Sequence, residues 1–359
     1  MSKVVDGVIK DWGDQIAPKK VEHGRRQRTI RGGKLDFGRA PPVAKRIVPR
    51  TKLKLTMQKA PEVMVKISGG GKDMRHIKAH MDYISRNGTV EVEDENGVRH
   101  LGKEEVRDVR DSWADGKTRI PTEEGTRKEA FNIVLSMPPG TSRQAVKDAA
   151  RMFAAEQFVN HQYVFAAHDD EAHPHVHLAV KAVDKDGARM NPRKADLQQW
   201  REHFAETLRE HGVAANATPR RARGQVRKAE KQKVIQMQRR GVEPAVKASQ
   251  KAAAIAELQS GGFGSNSAQL RIEAARRDIV QAYGTVAKAL AGGDAEDRVQ
   301  ALQIVQFVQG MPPVKATHQI TAEATHAQHE SNCRATDSRS TRHDLTMLRT
   351  PSGRDPSNR

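Results

Sequence analysis

Four histidines fall within ten residues in the segment His168-Asp-Asp-Glu-Ala-His173-Pro-His175-Val-His177. Side chains alternate along an extended strand, so His175 and His177 face the same side. The intervening DDEAHP (169–174) is a tight acidic turn, which folds His168 back beside them from the end of the preceding strand. Three neutral imidazoles on one patch suit a divalent metal and leave coordination positions open for substrate oxygens. His173 falls on the turn itself. Asp170 is close enough to accept the distal N–H of a ligand histidine. A closed structural site is the competing reading, with His173 or Asp170 as a fourth ligand.

These histidines need a sheet to hold them. VMVKI (63–67), FNIVLSM (131–137), HQYVFAAH (161–168) and HVHLAVKAV (175–183) read as strands, and TVEVEDENGV reads as an edge hairpin. Asp73 is a candidate cap for the helix MRHIKAHMDYISRNG, in which Met74, Ile77, Met81 and Ile84 share one face and Asn87-Gly88 forms the stop. Further helices are expected over 103–116, 142–158 and 196–212. Adjacent hairpin strands in the order β-α-(β)-α-β-α-β-β-α favour an antiparallel α+β fold over a doubly wound parallel sheet.

The chain of 359 residues carries a net charge of +18, which points to a polyanionic partner, nucleic acid before membrane. One cysteine excludes a disulfide framework and any multi-cysteine zinc site. No transmembrane run or signal-peptide core is seen, so a soluble, cytoplasmic chain is expected. Residues 1–60 hold 16 Lys and Arg against five Asp and Glu, and read as a basic, largely disordered arm. Residues 61–225 form the expected α+β domain, 226–311 an alanine-rich helical region, and 312–359 a disordered tail. The run 219–240 is again basic, with nine Lys and Arg and one Glu.

The histidine–hydrophobic–histidine strand with a third histidine upstream, taken with HIKAHMDYISRNG, SGGG, SMPPGT and HGVAANATPRRARG, resembles relaxases of the VirD2/MobA class, within the HUH endonucleases. Ala172 stands where that pattern has an acidic residue. The resemblance implies a five-stranded antiparallel sheet with flanking helices. It places a divalent metal, Mg2+ or Mn2+, on His168, His175 and His177, and the catalytic tyrosine on Tyr83. The implied activity nicks one strand of DNA at a plasmid or integrative-element transfer origin and leaves the protein on the 5′ end. Implied partners are single-stranded origin DNA, a relaxosome accessory protein and a type IV coupling protein, with export of the DNA-bound protein to a recipient cell. The arginine-bearing tail 338–359 is the candidate export signal.

Three tyrosines are present. Tyr163 lies in an apolar strand and reads as core, and Tyr283 lies in the alanine-rich helix. Tyr83 follows a basic helix and precedes Arg86. A phenol ionises near pH ~10, so attack on a phosphodiester needs assistance. Asp170 is a candidate proton acceptor as well as histidine orienter. Arg75, Lys78 and Arg86 are candidates for binding the flanking phosphates. No G-x-x-x-x-G-K-[ST] motif occurs, so ATPase chemistry is not expected. Two alternatives remain at this level: a rolling-circle replication initiator, and a non-catalytic DNA-binding protein with a structural metal.

Overall fold

The computed structural model describes residues 3–16, 49–115, 118–123, 125–225, 230–259, 267–316, 319–328 and 331. The chain divides into two compact units, Met1–Arg223 with Ala282–Gln309, and Gly224–Gln281 with Gly310–Arg359. The expected export signal at 338–359 lies outside the described residues.

Six strands form one antiparallel sheet: β1 (Met64–Gly69), β2 (Val92–Asp94), β3 (Arg99–His100), β4 (Ala130–Ser136), β5 (Tyr163–His168) and β6 (His175–Lys181). Their order is β1-β4-β6-β5-β2-β3. Five strands had been expected. The sixth, β3, is a two-residue edge strand created by the turn at Gly97, whose φ is 77°; it pairs with β2 alone through Val92↔His100 and Glu93↔Arg99. The expected hairpin at 89–98 therefore runs on to residue 100, with β2 beside β5 and β3 at the sheet edge.

Period-2 alternation gives the sheet two different faces. On one face Val65, Ile133, Leu135, Phe165, Val176, Leu178 and Val180 are buried against α5 (Arg143–Gln157) and α6 (Lys194–Glu210), which contribute Phe153, Trp200, Phe204 and Leu208. The other face carries Val164, Ala166 and Ala179, covered by Ile77, Met81 and Ile84 of α3 (Met74–Ile84) and by Val106 of α4 (Lys103–Ser112). The expected α+β sandwich is thus two helical layers around a central sheet.

Asp73 caps α3, accepting from the His76 backbone N–H at 2.8 Å. The helix ends through three successive left-handed residues, Arg86 (φ 50°), Asn87 (φ 57°) and Gly88 (φ 89°). At Gly88 a Cβ would lie 2.5 Å from the Lys103 nitrogen, so only glycine fits where the chain turns towards α4.

The stretch expected to be an unfolded arm contains two helices, α1 (Lys3–Ile16) and α2 (Pro49–Met57). Val5, Ile9, Trp12 and Ile16 recur at helical spacing and are all buried. Trp12 packs on Tyr283 with ring centroids 5.5 Å apart, and Arg221 donates to the Ile16 carbonyl at 3.0 Å. Arg50 of α2 pairs with Asp297 of α10 (Ala295–Gln309). Residues 17–48 lie outside the described set. In the second unit, α7 (Gln232–Arg239), α8 (Ala245–Gln259) and the first part of α9 (Ser267–Ala291) are helical, as are residues 319–328 within the expected tail.

Candidate active site

The β5–β6 hairpin brings the three histidines together. His168 pairs directly with His175, and Ala166 with His177, so all three imidazoles leave the same face of adjacent strands. Their ligand atoms lie within 4.8 Å of one another. His168 and His175 are buried and His177 is partly buried.

Backbone carbonyls fix two of the rings. His168 Nε2 lies 2.7 Å from the Ile84 carbonyl, so that nitrogen bears the proton and Nδ1 is left with its lone pair. His175 Nδ1 donates to the His173 carbonyl at 3.2 Å, leaving Nε2 as the acceptor. His177 Nδ1 is buried with no hydrogen-bond partner. Desolvation, reinforced by the neighbouring imidazoles, pushes His177 down to about 3; desolvation also holds His168 below its ordinary range. Both shifts favour neutral imidazoles at His168 and His177, the form that metal ligation requires. An orphaned buried nitrogen on His177 beside two oriented acceptors fits a divalent cation, because the ion would satisfy the nitrogen that the protein leaves unpaired.

Tyr83, at the last turn of α3, stands over this patch. Its ring centroid is 5.6 Å from that of His177 and 6.3 Å from that of His168, both edge-on. It is 51% exposed, whereas Tyr163 and Tyr283 are buried at 4% and 0%. Burial raises Tyr163 to about 12, and the Tyr283 hydroxyl donates to the Ala222 carbonyl at 2.9 Å. Tyr83 is thus the tyrosine that combines exposure with contact to the histidines.

Arg86 and Asp170 close one side. The Arg86 guanidinium lies 4.9 Å from the centre of the Tyr83 ring and 3.4 Å from His168 Nδ1, and it is ion-paired with Asp170. Desolvation works to raise the Asp170 carboxyl, but the charge and hydrogen bond of Arg86, with His168, together outweigh it and hold it below its usual range. Asp170 lies 3.8 Å from His175 Nε2, the acceptor nitrogen of that ring. The distal N–H of His175 is taken by the His173 carbonyl instead, so His173 contributes its backbone to the site. Arg75 and Lys78 are exposed on α3, Arg75 3.9 Å from Asp73 and Lys78 in the field of Asp111.

Two residues were not singled out from sequence. His80 stacks on Tyr83 at 6.3 Å, with Nε2 buried and unpartnered, and burial pushes it down to about 4. Its i−3 spacing from Tyr83 on a helix was the available signal. Arg143, the first residue of α5, donates to the carbonyls of His168 at 3.3 Å and Glu171 at 2.6 Å, and to the Asp169 carboxylate at 3.1 Å. It grips the turn that brings the histidines together.

Residues 83–213 match the family described as relaxase, MobA/VirD2-like, nuclease domain. T-DNA border endonuclease VirD2 from Rhizobium rhizogenes is 29% identical over 185 residues, covering 45% of this chain and 42% of that protein. Those of Agrobacterium fabrum and Rhizobium radiobacter are also 29% identical, covering 41% and 43% of their lengths. The chain therefore spans less than half the length of the curated relatives it matches. The matched region is thus similar to relaxase nuclease domains, and it contains the histidine cluster.

Proposed function

We propose that this chain is a DNA relaxase, which nicks one strand at a transfer origin by transesterification onto Tyr83. The observation that carries this reading is the exposed Tyr83 ring set edge-on against His168 and His177. In the step, the Tyr83 oxygen forms a bond to phosphorus and the bond from phosphorus to the 3′ oxygen breaks. The phenolic proton leaves to a base and the 3′ oxygen gains one. The 5′ end stays on the protein as a phosphotyrosyl ester. One ester is exchanged for another, so a second 3′ hydroxyl can reverse the step and rejoin a strand.

His168, His175 and His177 would hold Mg2+ or Mn2+, which when bound polarises the scissile phosphate and offsets its charge. The Ile84 and His173 carbonyls keep two of the ligand nitrogens deprotonated and aimed. Asp170 lies on the acceptor side of His175, which favours a role beside the reacting groups, as proton acceptor, over that of ring orienter. Arg86 binds a phosphate of the strand through its planar fork, with Arg75 and Lys78 further along α3. Single-stranded origin DNA is the proposed substrate. An accessory protein and a type IV coupling protein are the proposed partners, with export on the DNA from the cytoplasm. Among the described residues no helix is long and apolar enough to cross a membrane.

The test is the covalent adduct. Tyr83→Phe keeps the ring and removes the hydroxyl; it is expected to bind single-stranded DNA normally and to form no adduct with Mn2+. Tyr163→Phe and Tyr283→Phe are expected to form it. A trapped peptide mapping to any other residue overturns the assignment.

A further inference from the structure

We infer that Arg86 and a divalent cation compete for Nδ1 of His168, so that loading the histidines releases the Arg86 guanidinium to a DNA phosphate. The inference rests on the metal reading above and adds a coupling between metal and DNA. His168 has one nitrogen committed to the Ile84 carbonyl at 2.7 Å, so Nδ1 is its only possible ligand atom. The Arg86 Nη2 sits 3.4 Å from that nitrogen, as a donor to its lone pair. A lone pair cannot serve a guanidinium and a metal ion at once, and two cations at that spacing repel.

The anchors of Arg86 are arranged for such an exchange. Its backbone is held in the left-handed region at φ 50°, beside Asn87 at φ 57°, a conformation that costs a non-glycine residue stability and that persists where the surroundings enforce it. The guanidinium is held by the Asp170 carboxylate and by the face of Tyr83. The Asp170 carboxylate also stands 3.8 Å from His175 Nε2, so it faces the acceptor side of the ligand set. A cation drawn to these histidines attracts that carboxylate and repels the guanidinium, which weakens the Arg86–Asp170 pair from both ends. The released fork lies next to the nucleophile, where the phosphate of the strand arrives, and matches it bidentately. By linkage, phosphate that holds Arg86 away strengthens metal binding by the same factor.

Calorimetric titration of the full chain with Mn2+ alone tests the first half. Arg86→Asn and Arg86→Gly both tolerate the left-handed backbone. Both are expected to bind Mn2+ at least about fivefold more tightly than the parent, within the usual range of such couplings. Equal or weaker binding in both variants overturns the competition and leaves Arg86 a structural brace. His177→Ala serves as the control: parent and His177→Ala binding Mn2+ alike sinks the metal reading itself, a separate failure. Oligothymidylate binding tests the second half. Mn2+ is expected to tighten it in the parent, with at least about fivefold less gain in the Arg86 variants. An undiminished gain overturns the release to phosphate.

Discussion

The two faces of the sheet are made from the same strands and are finished differently. On the α5/α6 face the packing is mainly apolar, the buried His203 is hydrogen-bonded to Glu156 and Gln157, and the aromatics lock edge to face, Phe153 with Phe158 and Phe204, and Phe158 with Trp200. On the opposite face the same strands carry imidazoles at one end, and His177 Nδ1 and His80 Nε2 are buried without partners. Desolvation of these two nitrogens goes uncompensated within the described residues. Burying an unsatisfied polar atom costs about 1–3 kcal/mol, a charge that a bound ligand removes. One face therefore stabilises the fold, and the other holds free energy in reserve for binding.

Paired substitutions test that contrast. Phe153→Ala empties the centre of the apolar face and should cost about 3–5 kcal/mol of unfolding free energy, with or without Mn2+. His177→Leu removes an unsatisfied nitrogen and should leave the metal-free protein as stable or more stable, by up to ~1 kcal/mol, while abolishing stabilisation by Mn2+. Urea denaturation with and without Mn2+ reads both. If His177→Leu proves as costly as a core cavity, the two faces are built alike and the reserve does not exist.

Arg143 joins the faces. It begins a helix whose body packs on the apolar side, yet its fork holds the turn that sets His168 against His175. Groups that support ligands in this way typically contribute 10–100-fold to metal affinity. Arg143→Ala is expected to weaken Mn2+ binding about tenfold, with the urea midpoint nearly unchanged. Arg143→Lys should recover part of the affinity, since an ammonium can reach one carbonyl but not fork between them. A shifted midpoint with unaltered affinity would mean that the contact serves the fold alone.

Much of this architecture is legible in the residue pattern because it is locally encoded. Apolar runs mark β4, β5 and β6, Asp73 announces α3, and the spacing of His168, His175 and His177 carries over into the strand register. What escaped is encoded at long range or in the backbone. The carbonyls of Ile84 and His173 choose the histidine tautomers, and a carbonyl has no signature in a sequence. The 3.4 Å from Arg86 to His168 emerges only once the helix is docked on the sheet. The α1 stripe of Val5, Ile9, Trp12 and Ile16 was present to be read, but the basic charge of the region hid it. Its partner Tyr283 lies far along the chain, as does Asp297, which pairs with Arg50 of α2. The edge strand β3 is too short for alternation to register.

The smallest expected effect probes how finely α5 sets the histidine turn. Ser142 caps this helix, its hydroxyl accepting from the Ala145 backbone N–H at 3.3 Å. That bond is long, and Ser142 is exposed, so Ser142→Ala should cost only about 0.5–1 kcal/mol, towards the lower end for caps. The first turn would then fray, and it is the turn that carries Arg143. Mn2+ affinity should fall about two- to threefold, less than for removal of Arg143 itself, because the side chain remains able to reach its carbonyls part of the time. Ser142→Asp restores an acceptor and places a negative charge at the helix N-terminus, so it should return both stability and affinity to the parent values. If Ser142→Ala lowers stability and leaves Mn2+ affinity untouched, the grip of Arg143 does not depend on the helix start, and the two faces are less closely joined than the contacts of Arg143 imply.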